Sequence, residues 1–64
     1  VINCIKTLRT ASKMTQDELA IKCGVTRQTI NAIENNKYDP TLHLAFALAE
    51  ALQTTIDALF QAKK

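Results

Sequence analysis

Ser12, His43 and Asp57 supply the three side-chain types of a hydrolytic relay, but no nucleophile elbow surrounds Ser12. Catalysis has no foothold in that set, and no enzyme activity is expected. Cys4 and Cys23 show no CxxC spacing and no histidine close by in sequence, so neither a zinc site nor a redox motif is indicated. A disulfide between them is one option; small buried thiols in a reducing cytoplasm are the commoner fate of such residues. His43 has no second ligand in view, so neither a metal nor another cofactor is expected. What remains is a polar stretch, "TRQTINAIEN", whose Arg27, Gln28, Thr29 and Asn31 can hydrogen-bond and do not react. Alone they read as a solvated helix face; their surroundings decide otherwise.

The elements that hold this stretch can be read in order. Ile2, Ile5, Leu8 and Ala11 recur at helical spacing, with Cys4 beside them, and predict a first helix over residues 2 to 11. Residues 1 to 3 are equally compatible with an extended start. "TQDE", residues 15 to 18, has the form of a capping box, with Asp17 and Glu18 at the positive end of a helix dipole. The second helix it opens, with Leu19, Ala20 and Cys23 facing inward, runs only to Gly24. Glycine enters the left-handed region without a Cβ clash, so Gly24 fits a helix end followed by a sharp turn. Val25 plugs the corner, and Thr26 is a natural cap for a third helix that buries Ile30 and Ile33.

"NNKYDPT" reads as a loop, and Thr41, or Asp39 with Pro40 in the first turn, starts a fourth helix. In "LHLAFALAEAL" an inward stripe of Leu42, Ala45, Leu48, Ala49 and Leu52 is expected, with Leu44 and Phe46 on its flanks. Thr54 or Thr55 caps a short fifth helix carrying Ile56, Leu59 and Phe60, followed by a polar tail from Gln61 to Lys64.

The bulk composition agrees with an all-α fold. Sixty-four residues with 47% hydrophobic content, one glycine, one proline and no tryptophan suit one compact helical unit spanning 1–64. A net charge of +2 is too small to declare a polyanionic partner by itself. No apolar run reaches transmembrane length and no leader pattern opens the chain, so a soluble cytoplasmic protein without membrane partner is expected.

Gln16, Ala20, Gly24, Val25, Ile30 and Ile33 fall at relative positions 1, 5, 9, 10, 15 and 18. This pattern resembles the helix-turn-helix of the Cro/C1-type, phage-repressor-like regulators. Each position has a mechanical reason: a small residue where helices cross, a glycine at the turn, and apolar anchors beneath the second helix of the motif. The likeness extends through "IKTLRTASKMTQDELA", "GVTRQTINAIENNKYDPTL" and "ALAEAL", and within the family it is nearest the small cytolysin-operon-repressor-like type. It implies a compact five-helix, lambda-repressor-like DNA-binding domain with its motif at about residues 16–35. "ENNK", residues 34 to 37, departs from the family's Glu-Asn-Gly-Lys by placing Asn36 where glycine is common; asparagine is the next best occupant of left-handed geometry.

The resemblance also implies roles. Thr26, Arg27, Gln28 and Ala32 would face bases in the major groove, with Thr29 and Asn31 at the margin. The chemistry suits this: arginine bonds guanine bidentately, glutamine bonds adenine, and an alanine methyl can meet the thymine methyl. Gln16 would brace the third helix and meet phosphate, joined by Asn35, Lys37, Tyr38 and Lys13, although Lys37 and Tyr38 read equally well as ordinary loop residues. Arg9 and Glu34 would form a partly buried salt bridge that orients the third helix.

The apolar surplus in the last two helices, Leu44, Phe46, Leu59 and Phe60, is core by default but offers a candidate homodimer face. The implied function is sequence-specific binding of double-stranded DNA, with repression at a palindromic operator and no small-molecule ligand. Alternatives are an antitoxin, a restriction-modification controller, or a helical adaptor that has the fold without DNA affinity.

Overall fold

Threonine opens four helices in this chain. In the computed structural model, which describes residues 2–61, these helices are α2 (Gln16–Cys23), α3 (Arg27–Glu34), α4 (Leu42–Ala51) and α5 (Ile56–Leu59). The hydroxyls of Thr15, Thr26, Thr41 and Thr55 accept from the amides of Glu18, Thr29, Leu44 and Ala58 at 3.0–3.2 Å. Each satisfies a donor that the helix itself leaves unpaired, and such a cap contributes about 1 kcal/mol. At α2 the box is reciprocal, because the Glu18 carboxylate accepts from the Thr15 amide at 2.8 Å. That bond, with the one to the Thr15 side chain, holds the Glu18 carboxyl below its ordinary value of 4.5. The contribution of the box is therefore full above that value and fades as acid protonates the carboxylate.

The helices end as uniformly as they begin. Lys13, Gly24, Asn36 and Gln53 all take left-handed geometry, with φ of 58°, 71°, 59° and 55°. In each case the next residue's amide reaches back five positions: Met14 to Arg9, Val25 to Ala20, Lys37 to Ala32 and Thr54 to Ala49, at 2.9–3.0 Å. The left-handed residue itself donates three positions back. This is the Schellman closure, and only one of its four examples is built on glycine.

The remaining elements close the chain. Helix α1 is Ile5–Ala11, shorter than the spacing of residues 2 to 11 suggests, because the extended alternative holds: strand β1, Ile2–Asn3, pairs antiparallel with strand β2, Phe60–Gln61. A Cys4 amide to Leu59 carbonyl bond of 2.8 Å continues that pairing. Among the described residues five helices make up the all-α fold, with a two-residue strand pair at its seam. Val1, residues 62–64 of the expected polar tail, and the side chains of Ile2 and Gln61 lie outside the described residues. Among the described residues no helix is long and apolar enough to cross a membrane.

Ile5, Leu19, Ile30, Ile33, Leu48 and Leu59 are the fully enclosed side chains around which the five helices pack. Helix α4 corrects the expected stripe. Leu42 is 70% exposed whereas Leu44 is 7% exposed and joins the core with Ala45, Leu48, Ala49 and Leu52. Leu44 is the N3 residue above the Thr41 cap, where the first turn meets the bundle. Ala11 is exposed too, and Arg9 takes the buried place on α1.

Two substitutions test the helix ends. Gly24→Ala meets open space, so only its left-handed backbone resists, and a loss of about 1–2 kcal/mol is expected in urea unfolding. Gln53→Gly relieves the same strain at the cost of glycine's extra chain entropy and is expected to stabilise by somewhat under 1 kcal/mol.

Candidate nucleic-acid interface

The turn at Gly24 and Val25 decides how α3 is presented. Val25 is half-buried and packs against the core, and Ile30 and Ile33 anchor one side of α3 at 0% and 1% exposure. Residues on a helix advance by about 100° each. Gln28, Asn31 and Asn35 therefore share the side opposite those two isoleucines, and all three are exposed. Arg27 and Thr29 flank this polar side, Arg27 exposed and Thr29 half-buried, while Ala32 is half-buried. Thr26 is exposed, but its hydroxyl serves the N-cap and meets the Thr29 hydroxyl at 3.1 Å.

Gln16, Arg27, Gln28 and Asn31 line one open cleft between the starts of α2 and α3. Lys13, Gln16, Asp17 and Arg27 line a second cleft that adjoins it. Lys13 stands at the left-handed end of α1, exposed, beside the α2 N-terminus. Asn31 thus shares the first cleft with Gln28.

Asn35 is the C-cap of α3, and its side-chain amide already donates to the Asn31 carbonyl at 2.8 Å and the Asn31 Oδ1 at 3.3 Å. Lys37 is exposed in the loop that follows. Tyr38, 46% exposed, lines a different surface, an apolar groove with Pro40, Leu42, Ile56 and Phe60.

Beneath the polar side lies a charged knot. Arg9 Nε donates to Glu34 Oε2 at 2.7 Å and Arg9 Nη2 to Glu34 Oε1 at 3.2 Å, with side chains only 10% and 2% exposed. The third donor, Nη1, reaches the Met14 carbonyl at 2.8 Å in the α1–α2 turn. Gln16 Nε2 donates to Glu34 Oε1 at 3.0 Å, so one carboxylate holds α1, α2 and α3 together. The bidentate geometry and the additional donors are what make burial of such a pair tolerable.

Three features escaped the sequence reading. Asn3 donates from one amide to the Ile33 carbonyl at 2.8 Å and to Asn36 Oδ1 at 2.9 Å, tying β1 to the end of α3. Its own Oδ1 accepts from the Ile5 amide at 3.2 Å, and an asparagine just ahead of an apolar periodic run was the available signal. Asp17 pairs with Arg27 across the turn at 3.6 Å. Ile21 is 79% exposed on α2 and lines a shallow cleft with Phe46.

Of the proposed dimer residues, Leu44 and Leu59 are corrected to core. At 7% and 0% exposure they fill the monomer interior and have no surface to share. Phe46 is 60% exposed and Phe60 is half-buried. Cys4 and Cys23 are free thiols, and burial pushes the Cys23 thiol up from its ordinary value. Among the described residues no group of three or more His, Cys, Asp or Glu could hold a metal ion.

A short polar helix carried outward by a sharp turn from a small-residue crossing defines a helix-turn-helix DNA-binding regulator. The helix-turn-helix family model matches residues 5–59, and the chain belongs to that family. It is 48% identical over 58 residues to an uncharacterized HTH-type transcriptional regulator of Methanocaldococcus jannaschii, covering 91% of this chain and 88% of that protein. A further such regulator, of Archaeoglobus fulgidus, is 45% identical over 56 residues, with 88% and 80% covered. Among solved structures, the restriction-modification controller protein C.AhdI from Aeromonas hydrophila matches with a TM-score of 0.82 at 30% identity, over 88% of this chain and 85% of that one.

Removing one partner of the knot strands the other. Arg9→Ala or Glu34→Ala is expected to cost about 3–5 kcal/mol, and the double variant Arg9→Met, Glu34→Leu distinctly less than the sum, read by urea unfolding.

Proposed function

We propose that this regulator binds a specific duplex DNA site with the polar side of α3 in the major groove. The observation that carries this reading is the joint exposure of Arg27, Gln28 and Asn31, which line one cleft with the half-buried Gln16, on a helix that buries Ile30 and Ile33 on its opposite side. Arg27 reads guanine and Gln28 reads adenine, with Asn31 beside them; Thr26, Thr29 and Ala32 shape the approach. Gln16 and Lys13 meet phosphate on one flank of α3, and Asn35 and Lys37 on the other. Tyr38, which lines the apolar groove, is the weakest member of the phosphate set. The site as a whole is one domain with its motif at residues 16–35.

The working form is a homodimer on a palindromic operator. Its support is an apolar band on α4, α5 and β2: Leu42 and Phe46 are 70% and 60% exposed, and Ile56 lines both the groove of Phe46 and that of Phe60. Two copies joined there would present their α3 helices to half-sites about 34 Å apart, one turn of DNA. Repression by occlusion is the simplest output. The likeness to C.AhdI favours one particular setting, control of a restriction-modification system.

Selection from random duplexes followed by competition binding tests the reading. Arg27→Ala and Gln28→Ala are each expected to relax preference at one base pair by about 1–3 kcal/mol, while Lys37→Ala weakens all duplexes alike and lowers the salt slope by about one. Equal losses on selected and random DNA for all three would refute the roles. Sedimentation is expected to show a dimer at micromolar concentration that Leu42→Glu dissociates; a wild-type monomer at high micromolar concentration would remove the dimer.

A further inference from the structure

We propose that Asp17 is a positioning residue for Arg27 and sets how sharply its base pair is read. The proposal rests on the DNA-reading role of Arg27 given above. Asp17 is the second residue of α2 and Arg27 the first of α3, and the turn at Gly24 brings these helix starts together. The contact is between Asp17 Oδ1 and Arg27 Nε at 3.6 Å, with both side chains well exposed, at 72% and 64%. At that separation the contact is an ion pair without a hydrogen bond, and the guanidinium nitrogen nearest the carboxylate is Nε. A guanidinium presents five donors in a rigid fork, and the edge formed by its two terminal nitrogens matches guanine O6 and N7. A carboxylate on the Nε side leaves that edge free.

Without such a partner an exposed arginine samples many rotamers, and each must be given up when one base is bound. Asp17 narrows that range beforehand, on the side of α3 that lines the cleft with Gln28 and Asn31. Its negative charge also opposes loose attachment of Arg27 to any nearby phosphate, because moving the guanidinium there means leaving the carboxylate. Both effects favour the base over the backbone. Asp17 is not part of the reciprocal cap, which Thr15 and Glu18 complete between them. Substitution at 17 therefore leaves the α2 start closed.

The experiment is competition binding on the selected duplex and its three single-base replacements at the pair that Arg27→Ala identifies. Asp17→Asn is expected to reduce the preference for the favoured base about two- to fivefold, the range an exposed ion pair supports, with binding to random duplex unchanged or stronger. Asp17→Glu, which retains the carboxylate, is expected to keep most of the preference. In an Arg27→Ala background Asp17→Asn is expected to leave preference at that pair unchanged. If Asp17→Asn instead strengthens every duplex by one common factor, equally with and without Arg27, Asp17 is only a background charge and the proposal falls. Absence of any base preference in the unmutated protein would overturn the DNA reading itself and this proposal with it, and that result is seen before any variant is compared.

Discussion

Everything that α3 presents to the outside depends on one carboxylate beneath it. Glu34, the last residue of α3, is bonded by Arg9 from α1 and by Gln16 from the first turn of α2, while Arg9 also reaches the turn between those helices. Packing alone would leave α3 free to rotate slightly about Ile30 and Ile33, because dispersion contacts are weakly directional. A bidentate guanidinium is not, and it fixes the azimuth of the helix as well as its depth. The buried charge is thus less a source of stability than of orientation, and orientation is what a side chain needs if it is to meet a base edge.

The second constraint is the way the helices stop. Four αL residues end four helices, and three of them are Lys13, Asn36 and Gln53, side chains that pay for geometry glycine would adopt freely. Asn36 recovers part of that cost through the Asn3 amide, which bonds both its side chain and the Ile33 carbonyl. Glycine is kept where α2 turns into α3. There the following residue, Val25, must pack inward while the chain swings the polar helix out.

Much of this was legible because it is local. Threonine caps, the Glu18 return bond, the Gly24 end and the left-handed Asn36 are all written within three or four residues of one another, and the spacing through Ile33 located the motif. The Leu42 and Leu44 assignments were not legible. "LHLAFALAEAL" is apolar around much of its circumference, so periodicity cannot choose a face, and contacts with the other helices choose it instead. The strand pair joins residues from opposite ends of the sequence, and two residues on each side leave no alternation to read. The outward side of α3 could be read as a polar face; the partners of its members, Asp17 for Arg27 and Asn35 for Asn31, arise only once the turn and the helix end have formed.

The pairing of Ile2 with Gln61 makes the path of the chain nearly a closed ring. Peptide added before one strand or after the other would leave the molecule from a single edge. A circular permutant that joins these strands through a short linker and opens at an exposed loop position such as Asp39, past the Lys37 amide that closes α3, would preserve every helix and the knot at Glu34, while moving the new ends close to the end of the polar helix.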